Sequence, residues 1–268
     1  MCFFLGNSRF LSESGFFVDQ TVYAHFTILV NFKFQGGCTM ENTKLETFSN
    51  RLHERAKGIW KRNHTHPFVQ AIGDGTLSEK KFAYYLKQDY IYLMDYSKLF
   101  ALGVIKAHNL ETMAKFASIL NETLQVEMDI HRHYALEFGI SSIELENTEP
   151  TPTTLAYTGY MLNAAQNGTL ADLIACLLPC AWDYYEIGLL LKEQNGEALE
   201  NNRYADWIKS YSSPEFGEAH KWLIALLEEL TEGMPEKELL RLEKHFLVTS
   251  RYEYLFWDMV QNEQDWPL

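Results

Sequence analysis

The chain is poor in cysteine and in positive charge, and each shortage excludes a class of protein. Only Cys2, Cys38, Cys176 and Cys180 occur in 268 residues, too few and too unevenly spread for a disulfide framework. No basic stretch leads into an apolar core at the start, so no secretory signal is read there. Both absences point to a reducing, cytoplasmic setting. The 23 Lys+Arg against 36 Asp+Glu leave a net charge of −13. Such a surface repels phosphate backbones, which argues against nucleic acid as a partner. No apolar run is read as approaching a bilayer span, so no membrane partner is expected. A nucleotide-binding motif is missing as well. So is any Glu-x-x-His, the pattern that di-iron helical bundles need. Cys176 and Cys180 are four apart and could share a metal, but no neighbouring pair completes a ligand set. No metal or cofactor is expected.

What the chain does have is apolar, aromatic and unevenly distributed. Hydrophobic residues make up 47% and aromatic residues 14%, a globular composition. Residues 1–39 stand apart. They are crowded with phenylalanine, show no helical stripe, and carry charges that cancel (Arg9 and Lys33 against Glu13 and Asp19). Gln35-Gly36-Gly37, just before Met40, can be encoded by a purine-rich stretch resembling a bacterial ribosome-binding sequence. Met40 is therefore read as the native start and 1–39 as translated upstream sequence. A flexible arm or short hairpin is the competing reading.

Residues 40–268 read as one all-α domain, a single bundle of several long helices. Thr76-Leu-Ser-Glu79 has the form of a capping box before the long segment beginning "EKKFAYYLKQDY". Thr151-Pro152 and Ser213-Pro214 place a capping hydroxyl before a proline at the first helical position. Gly233 and Pro235 end one helix and begin the last. No strict two-residue alternation, repeat or linker competes with this reading.

The informative residues interrupt apolar stripes. In the last helix the stripe is Leu242, Phe246, Thr249, Glu253, Phe256 and Val260, with a carboxylate at its centre. In the long early helix Phe82, Tyr85, Asp89, Tyr92 and Tyr96 repeat the pattern around Asp89. A third helix gives Leu173, Cys176 or Leu177, Cys180, Tyr184 and Ile187, and a fourth Tyr157, Tyr160 or Met161, and Ala164. A carboxylate turned inward pairs or keeps its proton. Two carboxylates, a thiol and several tyrosines on inward faces describe a polar pocket with aromatic walls. Taken singly, Cys180 reads first as a small core hydrophobe and each carboxylate equally as a structural partner. In "VEMDIHRHY", Glu127 and His131 read as a helix-surface or packing pair.

In order and spacing, "HPFVQAIGDGTLSEKKFAYYLKQDYIYL", "PTPTTLAYTGYM", "LLPCAWDYYEIG", "WIKSY" and "SRYEYLFWDM" resemble the TenA family, the thiaminase II or aminopyrimidine aminohydrolase proteins. The resemblance spans 40–268 and none of 1–39. It implies a haem-oxygenase-like all-α fold, assembled as a homotetramer without haem or metal. It implies Cys180 as nucleophile, Glu253 as general acid and Asp89 as the group holding the pyrimidine amino group and ring nitrogen. Tyr92 is implied beside the thiol, Tyr157, Tyr184 and Tyr211 in the substrate pocket, and Phe256 as a wall. The implied activity is a thiamin-salvage hydrolase acting on 4-amino-5-aminomethyl-2-methylpyrimidine and on thiamin. The alternative is a non-catalytic pyrimidine-binding or regulatory protein.

Overall fold

Most helices here begin where a side chain can satisfy the free amides of a first turn. The structure, a computed structural model, describes residues 47–267, and the expectation about residues 1–39 lies outside them. Thr47 accepts from the Asn50 amide and opens α1 (Phe48–His64). His66 then caps the short α2 (Pro67–Gly73). α3 (Glu79–Lys106) is capped by Ser78, which accepts from the Lys81 amide. This corrects the capping box read at Thr76. Gly75 turns the chain at φ +69°, and the amides of Thr76 and Leu77 both return to the Ala71 carbonyl. Thr76 therefore still belongs to the end of α2.

α4 (Leu110–Glu122), a π turn (Thr123–Glu127) and α5 (Met128–Glu137) form one continuous run, since Glu122, Thr123, Glu127 and Met128 all stay right-handed helical. α6 (Ser142–Glu146) is short. α7 (Pro152–Asn167) and α10 (Pro214–Thr231) open at Thr151-Pro152 and Ser213-Pro214, as their spacing predicts. α8 (Leu170–Asn195) starts with a reciprocal capping box between Thr169 and Asp172. α9 (Ala205–Tyr211) is a two-turn helix. Pro235 precedes α11 (Glu236–Asn262) without a side-chain capping bond, after Gly233 reverses the chain at φ +69°. No strand occurs among the described residues, and the fold is all-α.

α8 is the central element. α11, α10, α9 and α7 all pack on it, while α3 packs on α4 and α7. A helix enclosed on every side must be apolar all round. α8 is long and apolar enough to match a bilayer span, and 72% of its most apolar window is buried inside the protein. The expectation that no run approaches that length is corrected, and the apolarity serves the core.

Candidate active site

The site begins at an irregularity of α8. Pro179 lies inside the helix and has no N–H to return to the carbonyl four residues earlier. The Tyr96 hydroxyl donates to the Leu177 carbonyl at 3.2 Å, which ties α3 to this turn. Cys180 follows the proline at 2% exposure. Cys176, one turn earlier, is fully buried. Burial, helped by the Asp172 charge, pushes the Cys176 thiol far above its usual range. One cysteine is a core residue; the other meets the polar pocket.

Glu253 on α11 lies within electrostatic reach of Cys180. Burial holds the Glu253 carboxyl well above its ordinary range, and negative charge at Cys180 adds to the effect. The Tyr157 hydroxyl on α7 donates to Glu253 Oε1, a bond that works in the opposite direction by favouring the carboxylate. Burial raises the Tyr92 and Tyr157 phenols well above their usual range, and charge at Cys180 raises both further. Tyr184 and Tyr85 also respond to Cys180. Groups from α3, α7, α8 and α11 thus converge on one sulfur.

The α3 face supplies Asp89, Tyr92 and Tyr85. The Tyr92 ring lies 5.2 Å from Tyr157, 5.3 Å from Tyr96 and 6.0 Å from Phe256, centre to centre. Its hydroxyl is buried beside the Tyr157 phenol. Tyr184 packs 5.0 Å from both Tyr211 and Trp257. The residues singled out from the sequence therefore occupy adjoining inward faces, Tyr211 joining through Tyr184.

Three contributors lie outside that set. Tyr85, one turn before Asp89, accepts from the Trp207 indole at 3.2 Å; it was on the α3 stripe but not singled out. Asp183, one turn after Cys180, is fully buried and accepts from Asn63 at 2.5 Å, with His64 Nε2 at 2.9 Å. His131 is fully buried with Nε2 3.0 Å from Asp89 Oδ2. Glu127 is buried too, so of the helix-surface or packing alternatives for Glu127 and His131 the surface one is corrected and packing remains. A carboxyl group whose burial favours the protonated form, near a thiol and aromatic side chains, can protonate a flat nitrogen heterocycle while sulfur attacks it.

Comparison with known proteins gives a consistent picture. The TENA/THI-4/PQQC family pattern matches residues 53–263. The aminopyrimidine aminohydrolase of Halalkalibacterium halodurans is 54% identical over 220 residues, 82% of this chain and 98% of that protein. The aminopyrimidine aminohydrolase of Bacillus subtilis is 36% identical over 220 residues, 82% of this chain and 92% of that protein. Among solved structures, the TenA homologue from P. horikoshii superimposes with a TM-score of 0.74 at 28% identity, covering 81% of this chain and 100% of its own.

Proposed function

The chain belongs to the TENA/THI-4/PQQC family, and on that premise we propose that it is an aminopyrimidine aminohydrolase with thiaminase II activity. It hydrolyses 4-amino-5-aminomethyl-2-methylpyrimidine to the hydroxymethyl pyrimidine and ammonia. From thiamin, the same replacement by water releases the thiazole. One observation carries the reading: Glu253 and Cys180 are both 2% exposed and lie within electrostatic reach of each other, with burial first and charge at Cys180 second raising the Glu253 carboxyl above its ordinary range.

The ring carbon of an aminopyrimidine resists nucleophiles until a ring nitrogen is protonated. Glu253 supplies that proton, and the Cys180 thiol gives up its own proton, which the leaving amine takes up, as the sulfur adds to the ring carbon. The exocyclic C–N bond breaks, and the amine leaves with the electron pair and takes up a proton. Water adds to the exposed methylene and gives up a proton. The thiolate is then expelled and the ring nitrogen returns its proton to Glu253. Asp89 holds the amino group and ring nitrogen, Tyr92 stands beside the sulfur, and Tyr157, Tyr184, Tyr211 and Phe256 enclose the ring. The same reading gives a cytoplasmic homotetramer that works without a cofactor.

The test is a side-by-side assay of the full chain and its Cys180→Ala variant. Each receives the aminomethyl pyrimidine and, separately, thiamin, with the pyrimidine alcohol followed by chromatography. Cys180-dependent product, faster from the aminomethyl compound, is expected. Ligand binding without product from either compound would overturn the hydrolase reading in favour of a binding or regulatory protein.

A further inference from the structure

We propose that His131 is a positioning residue for Asp89, carried into the pocket by the π turn at Thr123–Glu127. The inference rests on Asp89 being the pyrimidine-holding carboxylate. Its first support is geometric. The buried residues of α4 are Thr112, Phe116 and Ile119. His131 lies twelve residues beyond Ile119, which in an unbroken α-helix places it about 120° away from that face. A π turn takes up one extra residue, which returns His131 to within about 20° of Ile119. The burial pattern follows this shift: Thr123, Glu127 and His131 are 2%, 2% and 0% exposed.

The second support is the pairing itself. His131 Nε2 lies 3.0 Å from Asp89 Oδ2, with side-chain exposures of 0% and 1%. Burial works against the charged form of Asp89, whereas His131 favours it. A carboxylate that receives an amino group must be ionised and fixed in plane. An imidazole 3.0 Å from Oδ2 favours the ionised form and restricts rotation of the carboxylate. The neighbouring Tyr90 ring, centred 6.3 Å from the imidazole, packs against its flank. π turns inside helices are frequent at functional sites, and here the buried group that follows the turn on this face is His131.

A double-mutant cycle tests the pairing. The dissociation constant of the pyrimidine alcohol, read from tryptophan fluorescence, and KM and kcat for the aminomethyl compound are measured in wild type, His131→Phe, His131→Gln, Asp89→Asn and the His131→Phe/Asp89→Asn double variant. His131→Phe is expected to raise KM and the dissociation constant by about tenfold with a smaller change in kcat. His131→Gln, which keeps a donor near Nε2, recovers most of that loss. In the Asp89→Asn background His131→Phe adds less than about twofold. Equal penalties in both backgrounds, or an unchanged KM in His131→Phe, would overturn the proposal. A wild type that neither binds nor turns over the pyrimidine would instead sink the proposed function. In that event the imidazole ¹⁵N resonances of His131 are compared between wild type and Asp89→Asn. A shift supports the pairing, and unchanged resonances refute it.

Discussion

The Tyr157 hydroxyl donates to Oε1 of Glu253 where neither group meets solvent, the two residues being 1% and 2% exposed. The bond opposes the surroundings. Burial first, and negative charge at Cys180 second, make Glu253 hold its proton, while the phenol stabilises the carboxylate. The acid is set by that balance, and changing either side of it moves pH dependence in a known direction.

Tyr157→Phe removes the effect that favours the Glu253 carboxylate, so Glu253 keeps its proton to higher pH. Glu253 acts in its protonated form, and the alkaline limb of kcat/KM therefore moves upward. The maximal rate falls by roughly tenfold as the acid loses its orientation. A pH–rate profile of both proteins checks this. An alkaline limb that stays in place would mean that a group other than Glu253 sets it.

Glu253→Gln exchanges turnover for stability. Burial raises the folded carboxyl well above the ordinary glutamate range, so the native state binds the extra proton and the carboxylate form is destabilising. Below the unfolded pKa this penalty vanishes; it grows as pH rises toward the folded pKa. The glutamine variant should lose its activity and melt a few degrees higher than wild type near about pH 8, with the gap narrowing near about pH 5. Thermal melts at the two values decide it, and a gap that is constant with pH would remove the linkage argument.

Much of this arrangement is legible in the sequence because a stripe of period 3.6 reports which residues point inward. Asp89, Glu253 and Cys180 each interrupt such a stripe, and each is buried. His131 is not resolved by the same logic because the π turn breaks the period between it and α4, which leaves surface and packing positions equally compatible with the sequence. Thr76 misled for a related reason. Its sequence has the form of a cap, but its amide already serves the end of α2. Asp183 went unread because its partners, Asn63 and His64, are more than a hundred residues away in α1, a pairing that no local pattern encodes.

The two cysteines of α8 should separate cleanly. Cys180→Ala removes the nucleophile and should lower turnover by about a thousandfold or more, with little change in melting temperature. Cys176→Ala leaves a small void in a fully enclosed part of the core and should cost roughly 1 kcal/mol of stability while turnover persists. Urea unfolding and steady-state rates on both variants test the contrast. Loss of activity in Cys176→Ala with Cys180→Ala still active would reverse the assignment.

Gly188 sets how closely α8 approaches the end of α9, and through it where Tyr211 stands. A Cβ at Gly188 would lie 2.6 Å from the Tyr211 carbonyl carbon and 2.7 Å from the Ser212 nitrogen. Both are backbone atoms, so no rotamer change relieves the clash and α9 must shift outward. Tyr211 would then move from its place 5.0 Å from Tyr184. Gly188→Ala should cost about 1–3 kcal/mol by overpacking. It should also raise KM more than it lowers kcat, because a displaced wall loosens substrate binding before it disturbs the reacting groups. Gly159→Ala on α7 is the control, since a Cβ there meets nothing within 4 Å. That change should instead stabilise the helix by up to about 1 kcal/mol. A Gly188→Ala enzyme with wild-type KM and an unchanged urea midpoint would show that Tyr211 does not depend on this contact to reach the pocket.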